Sequence, residues 1–112
     1  MTAASKPFEF EKYDHLLRDP TNAAAYLAEF LESGDLELFQ EGIRHVAKAQ
    51  AGGISRIADD AELSRENLYR ALSRDGHPRF ETVARMLAAM GLRLTIEPAG
   101  RAEPEPDQET AA

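Results

Sequence analysis

Between Ile54 and Leu72 the sequence ISRIADDAELSRENLYRAL places its apolar residues where two short helices meeting at a tight turn would bury them. Ile57 and Ala58 share one face of the first helix, Leu63 fills the turn, and Leu68, Ala71 and Leu72 face back from the second, following the i, i+3, i+4 spacing of buried helical stripes. Alanine at position 58 suits the point where one helix crosses steeply over another and leaves room only for a small side chain. The pattern predicts a helix-turn-helix over residues 54–72. Between the apolar positions Ser64, Arg65, Glu66, Asn67, Tyr69 and Arg70 project outward, a set suited to phosphates and base edges.

Upstream, Asp19-Pro20-Thr21 reads as a helix start, with a capping side chain and a proline in the first turn. Ala24, Leu27, Ala28 and Leu31 form its apolar stripe, flanked by Tyr26 and Phe30. Ser33-Gly34-Asp35 ends that helix and caps the next, which runs from about 36 to 51 with Leu36, Phe39, Ile43, Val46 and Ala47 inward. Gly52-Gly53 and Asp75-Gly76-His77-Pro78 break the chain on either side of the motif. A further helix from Phe80 to Met90 presents Phe80, Val83, Leu87 and Met90, with Gly91 as its C-terminal cap. Leu92, Leu94 and Ile96 then alternate with Arg93, Thr95 and Glu97 until Pro98, which predicts a strand over 92–97. Phe8 and Phe10 alternate with Glu9 and Glu11, as a short strand or an extended arm. A lone strand needs a partner, and the Phe8/Phe10 segment and the same strand of a second subunit are equal candidates. The expected fold is mainly α: five helices, an N-terminal arm and a C-terminal β-strand that pairs within the chain or across a dimer.

The chain has 112 residues and no cysteine, which fits one domain held by helix packing or dimerisation without disulfides or thiolate metal sites. That domain is expected over residues 7–98, between a disordered N-terminus (1–6) and a disordered acidic tail (99–112). With no signal-like or membrane-spanning apolar run, a cytoplasmic location is expected. The net charge of −7 runs against DNA binding, but the acid is concentrated at the ends. Residues 1–40 hold three basic and eight acidic side chains, whereas Ser64 to Arg85 carries a local balance of +2. Ordinary solvated helix faces account for those arginines equally well. His15, His45 and His77 lie far apart, without metal-ligand spacing, and no glycine loop is built to cradle phosphate. No enzymatic activity, metal or cofactor is expected.

The segment LSRENLYRALS, the loop DGHP and RFETVARMLAAMGLRLTI together resemble the antidote (antitoxin) proteins of bacterial toxin–antitoxin addiction modules that carry a phage-repressor-like, Xre/Cro-type helix-turn-helix. The PFEFEKY arm, the DPTNAAAYLAEFLESGD helix and the KAQAGGISRIA segment extend the resemblance to about residues 7–98. It implies a protein that represses its own operon by binding the operator as a homodimer, and that neutralises a small ribosome-associated, RNA-cleaving toxin encoded beside it. Two residues depart from the family's habit. Glu62 stands where this motif usually has glycine and must accept a left-handed backbone or a different turn. Glu66 would repel phosphate unless it accepts from cytosine N4 or serves the helix N-terminus.

In such a complex Ser64 would cap the second motif helix, and Arg65 and Asn67 would read base edges. Tyr69, Arg70, Arg74 and Arg79 would reach phosphate or sugar. Arg70 pairing with Glu66 and Tyr69 packing on the preceding helix are the competing structural roles. Leu92, Leu94 and Ile96 are the expected dimer strand. The acidic N-terminal part, with Phe8, Phe10, Tyr13, Leu16 and Leu17, is the candidate surface for a basic toxin, although Tyr13, Leu16 and Leu17 better suit a helix covering the core. A free-standing prophage-type repressor without a toxin partner is the alternative function, and a pure interaction module without DNA binding is a third.

Overall fold

The computed structural model describes residues 15–99. Phe8, Phe10, Tyr13 and the expected disordered N-terminus lie outside these residues, as does nearly all of the acidic tail. Residues 15–17 are helical. Five longer helices follow: α1 (Pro20–Ser33), α2 (Leu36–Ala49), α3 (Gly53–Asp60), α4 (Arg65–Ala71) and α5 (Phe80–Ala89). The described chain thus has six helical segments where five were expected, the extra one carrying buried Leu17 ahead of the Asp19-Pro20 break.

The helix boundaries follow local chemistry. The Asp19 carboxylate accepts from the backbone N–H groups of Thr21 and Asn22, with Pro20 in the first turn, and Gly34 ends α1 in the left-handed region at φ 80°. Asp35 caps α2 by accepting from the Leu38 N–H at 3.1 Å. Gly42 sits at the α1–α2 crossing, where a Cβ would lie 2.9 Å from Leu27 and 3.0 Å from Phe30, so a glycine lets the two helices close up. In turn α1 packs on α2, α2 on α3, and α3 on both α4 and α5. Ile43, Val46, Ile57, Leu68, Leu72 and Met86 are the largest fully buried side chains of the common core, each worth about 1.5–3 kcal/mol of apolar burial.

Three expectations need correction. The described residues contain no strand: 92–99 run without secondary structure, so the C-terminal β-strand is not seen, and Leu92, Leu94 and Ile96 pair with no strand of the described chain. Alternation survives as alternate burial, with Leu92 and Leu94 packed against the core and Ile96 at 96% exposure. The period of two therefore records an extended segment lying on a helical surface, and no neighbouring backbone in the described chain completes a ladder. Second, Leu36 and Phe80 are 58% and 74% exposed instead of inward. Each is the first residue of its helix and projects beyond the packed turns. Third, α1 buries Ala23 and Leu27, while Ala24, Ala28 and Leu31 remain exposed, because its main neighbour, α2, covers only a narrow stripe.

Candidate nucleic-acid interface

The connection between α3 and α4 is short and backbone-driven. The Leu63 N–H donates to the Ala58 carbonyl at 2.8 Å, and the Glu62 N–H donates to that of Asp59 at 3.0 Å. Glu62 is left-handed, with φ 63°, alone in this among the described non-glycine residues. Such a conformation costs an L-residue about 1–2 kcal/mol. Arg85 of α5 braces the turn, donating to the Ala61 carbonyl at 3.3 Å and standing 3.9 Å from the Glu62 carboxylate. The same guanidinium donates to Glu81 at 2.9 Å and holds that carboxyl below its ordinary range.

At the start of α4 the Ser64 hydroxyl accepts from the Asn67 N–H at 3.0 Å, which satisfies one of the helix's orphan donors. Leu68, fully buried, fixes the helix about its own axis. As a result Ser64, Arg65, Glu66, Asn67, Tyr69 and Arg70 are all exposed along one short element. Tyr69 is 40% exposed.

The other end of α4 is tied down by α2. The Gln40 amide donates to the Ser73 carbonyl at 2.9 Å and to that of Gly76 at 3.2 Å, and Arg44 donates to the Leu72 carbonyl at 3.3 Å. Gly76 lies so close to the carbonyl oxygens of Arg70 and Ala71 that no Cβ fits there. The bracing roles of Gln40, Arg44 and Arg85 are not legible in the sequence, because each acts on a backbone atom 24 or more residues away. Their only sequence signal is a long polar side chain beside a buried stripe.

The arginines differ in what holds them. Arg70 donates to the Asn67 side-chain oxygen at 2.8 Å and to Glu66 at 3.3 Å, so the i, i+4 pairing weighed against phosphate contact is the one present in the free chain. Both partners of that ion pair are more than two-thirds exposed, so it contributes only a few tenths of a kcal/mol and exchanges readily. Arg74 stands 3.8 Å from Glu37. Arg65 and Arg79 make no hydrogen bond or ion pair among the described residues, and both are exposed. Arg65 sits at the leading end of α4, whereas Arg74 and Arg79 lie in the loop beyond it. Leu92, Leu94 and Ile96 are not part of this surface.

Among the described residues no His, Cys, Asp and Glu side chains cluster to hold a metal ion, and no helix is long and apolar enough to cross a membrane. Residues 6–98 match the sequence model of a family described as "probable addiction module antidote protein". An uncharacterized protein of Haemophilus influenzae is 35% identical over 89 residues, covering 80% of this chain and 89% of that protein. No solved structure matches. The chain therefore belongs to the addiction-module antidote family, which implies a cognate toxin as partner and a regulatory, non-catalytic role.

Proposed function

We propose that this antidote acts in the cytoplasm as a DNA-binding dimer that represses its own operon and neutralises a small ribonuclease-type toxin encoded beside it. The exposed face of α4, with Arg65 unengaged at its leading end, carries the DNA-binding part. As the second helix of a helix-turn-helix, α4 enters the major groove N-terminus first. Arg65 bridges the two acceptors of a guanine and Asn67 pairs with an adenine, each worth about 1–3 kcal/mol of discrimination. Arg70 exchanges Glu66 for a phosphate, and Tyr69, Arg74 and Arg79 add backbone contacts that set register without reading sequence.

A helix of seven residues offers little contact area, so two copies spaced by about 34 Å, one turn of DNA, make the operator complex. The toxin reading is supported by the family match over 6–98. Its ribonuclease type is supported by the resemblance of the SRENLYRALS to GLRLTI region and by the acidic ends, which suit a basic RNA-handling partner.

The test is fluorescence anisotropy of the labelled duplex lying upstream of the gene, at two salt concentrations. Binding that weakens as salt rises, and that falls about tenfold or more in Arg65→Ala, is the expected result. No binding at the lower salt would overturn the DNA-binding claim. For the toxin, a basic product of the adjoining reading frame that co-purifies with this chain supports the antidote reading over a free-standing repressor.

A further inference from the structure

We propose that the groove between α1 and residues 91–97 is the docking site for a basic, apolar-tipped segment of the cognate toxin; this rests on the antidote reading. The groove has a volume of about 470 Å³, enough for several apolar side chains. One wall is Ala24, Ala28 and Leu31 of α1, the facing wall is Leu92 and Leu94, and Phe39 of α2 contributes between them.

The stripe on α1 has the spacing of a buried face, yet Ala24, Ala28 and Leu31 are exposed. An apolar stripe left open in this way marks an interaction surface.

Charge selects the occupant. Residues 19–41, which form α1 and the first part of α2, hold six Asp and Glu and no Lys or Arg. Glu32 and Glu97 line the groove itself, with Arg93 as its one cation. Two copies of this chain meeting there would oppose like charges, and DNA phosphate would be repelled, whereas a basic protein is attracted and steered. No residue of α3 or α4 lines the groove, so an occupant leaves the face of α4 free.

The experiment is calorimetric titration of the full chain with the purified product of the adjoining reading frame. Ala28→Arg fills the groove from an exposed helical position that tolerates arginine, and Glu32→Lys reverses a lining charge. Each is expected to weaken binding at least tenfold, with Arg65→Ala unchanged and with promoter binding retained by Ala28→Arg. Unchanged affinity in both groove variants, with the parent chain binding, would overturn the groove assignment and leave the antidote reading standing. No binding by the parent chain would overturn both. If Ala28→Arg converts a dimer to a monomer by light scattering, the occupant is a second copy. If Ala28→Arg and Phe8→Ala lower the thermal midpoint of the free chain non-additively, the occupant is the chain's own N-terminal segment. Either result overturns the proposal.

Discussion

The α3–α4 side of the molecule and the α1 side differ in how completely their apolar residues are covered and in the sign of their charge. On the first, Ile57, Ala58, Leu68 and Leu72 are each at most 1% exposed, and every outward position on α4 is polar or amphipathic. On the second, three of the four residues in the α1 stripe remain in solvent beside an open groove. Residues 64–85 carry +2, whereas residues 19–41 carry −6. A rigid helix with a saturated inner face can present side chains in a fixed register, which suits base edges. An unsaturated apolar stripe in an acidic setting gains stability only when something covers it. The contrast suits the proposed division, with a polyanion on the α4 face and a basic protein in the α1 groove.

The contrast is easiest to break through the core. Leu68→Ala is expected to destabilise the chain by about 2–5 kcal/mol, whereas Leu31→Ala, at 42% exposure, should stay within about 1 kcal/mol. Equal losses in thermal denaturation would mean that α1 is covered after all. Ser64→Ala should cost about 1 kcal/mol through loss of the α4 cap, read as a lower urea midpoint with an unchanged slope. Glu62→Gly should move that midpoint the other way by about 0.5–1 kcal/mol, since glycine accepts the left-handed turn without strain. The Glu62–Arg85 contact it removes is a long, exposed ion pair screened by solvent. Arg70→Ala should leave stability within about 0.5 kcal/mol, because both of its side-chain hydrogen bonds are exposed.

On the α1 side, Tyr26 provides a titration. Burial first, and the Glu41 charge second, push its phenol from 10.0 up to about 12, and its hydroxyl lies 3.1 Å from His45 Nδ1. The folded state therefore favours the neutral phenol. Its contribution is complete below the unfolded pKa near 10 and is lost as pH rises toward 12. Tyr26→Phe should flatten the stability curve between those values; a curve of unchanged slope would contradict the assignment.

Much of the α3–α4 side was legible because its signals are local. Ser64 caps its helix by accepting from the N–H three residues ahead, Leu68 alternates with exposed neighbours at helical spacing, and Glu62 takes the backbone conformation that its place in the turn demands. The caps at Asp19 and Asp35 and the breaks at Gly34 and Gly91 were readable for the same reason. What escaped depends on distance. The hydrogen bonds of Gln40 and Arg44 to the end of α4, and of Arg85 to the turn, join residues with no periodic relation. The alternation of Leu92, Leu94 and Ile96 looked like a strand because periodicity reports which side chains are covered, not whether a neighbouring backbone supplies hydrogen bonds. The α1 stripe looked buried for a related reason: spacing defines an apolar face but not what meets it.

The most direct test of two separate faces is a three-way anisotropy titration of the upstream duplex with the parent chain, Arg65→Ala and Ala28→Arg. Arg65→Ala is expected to bind about tenfold or more weakly and Ala28→Arg to match the parent. Loss of DNA binding in Ala28→Arg, with Arg65→Ala unaffected, would contradict that separation.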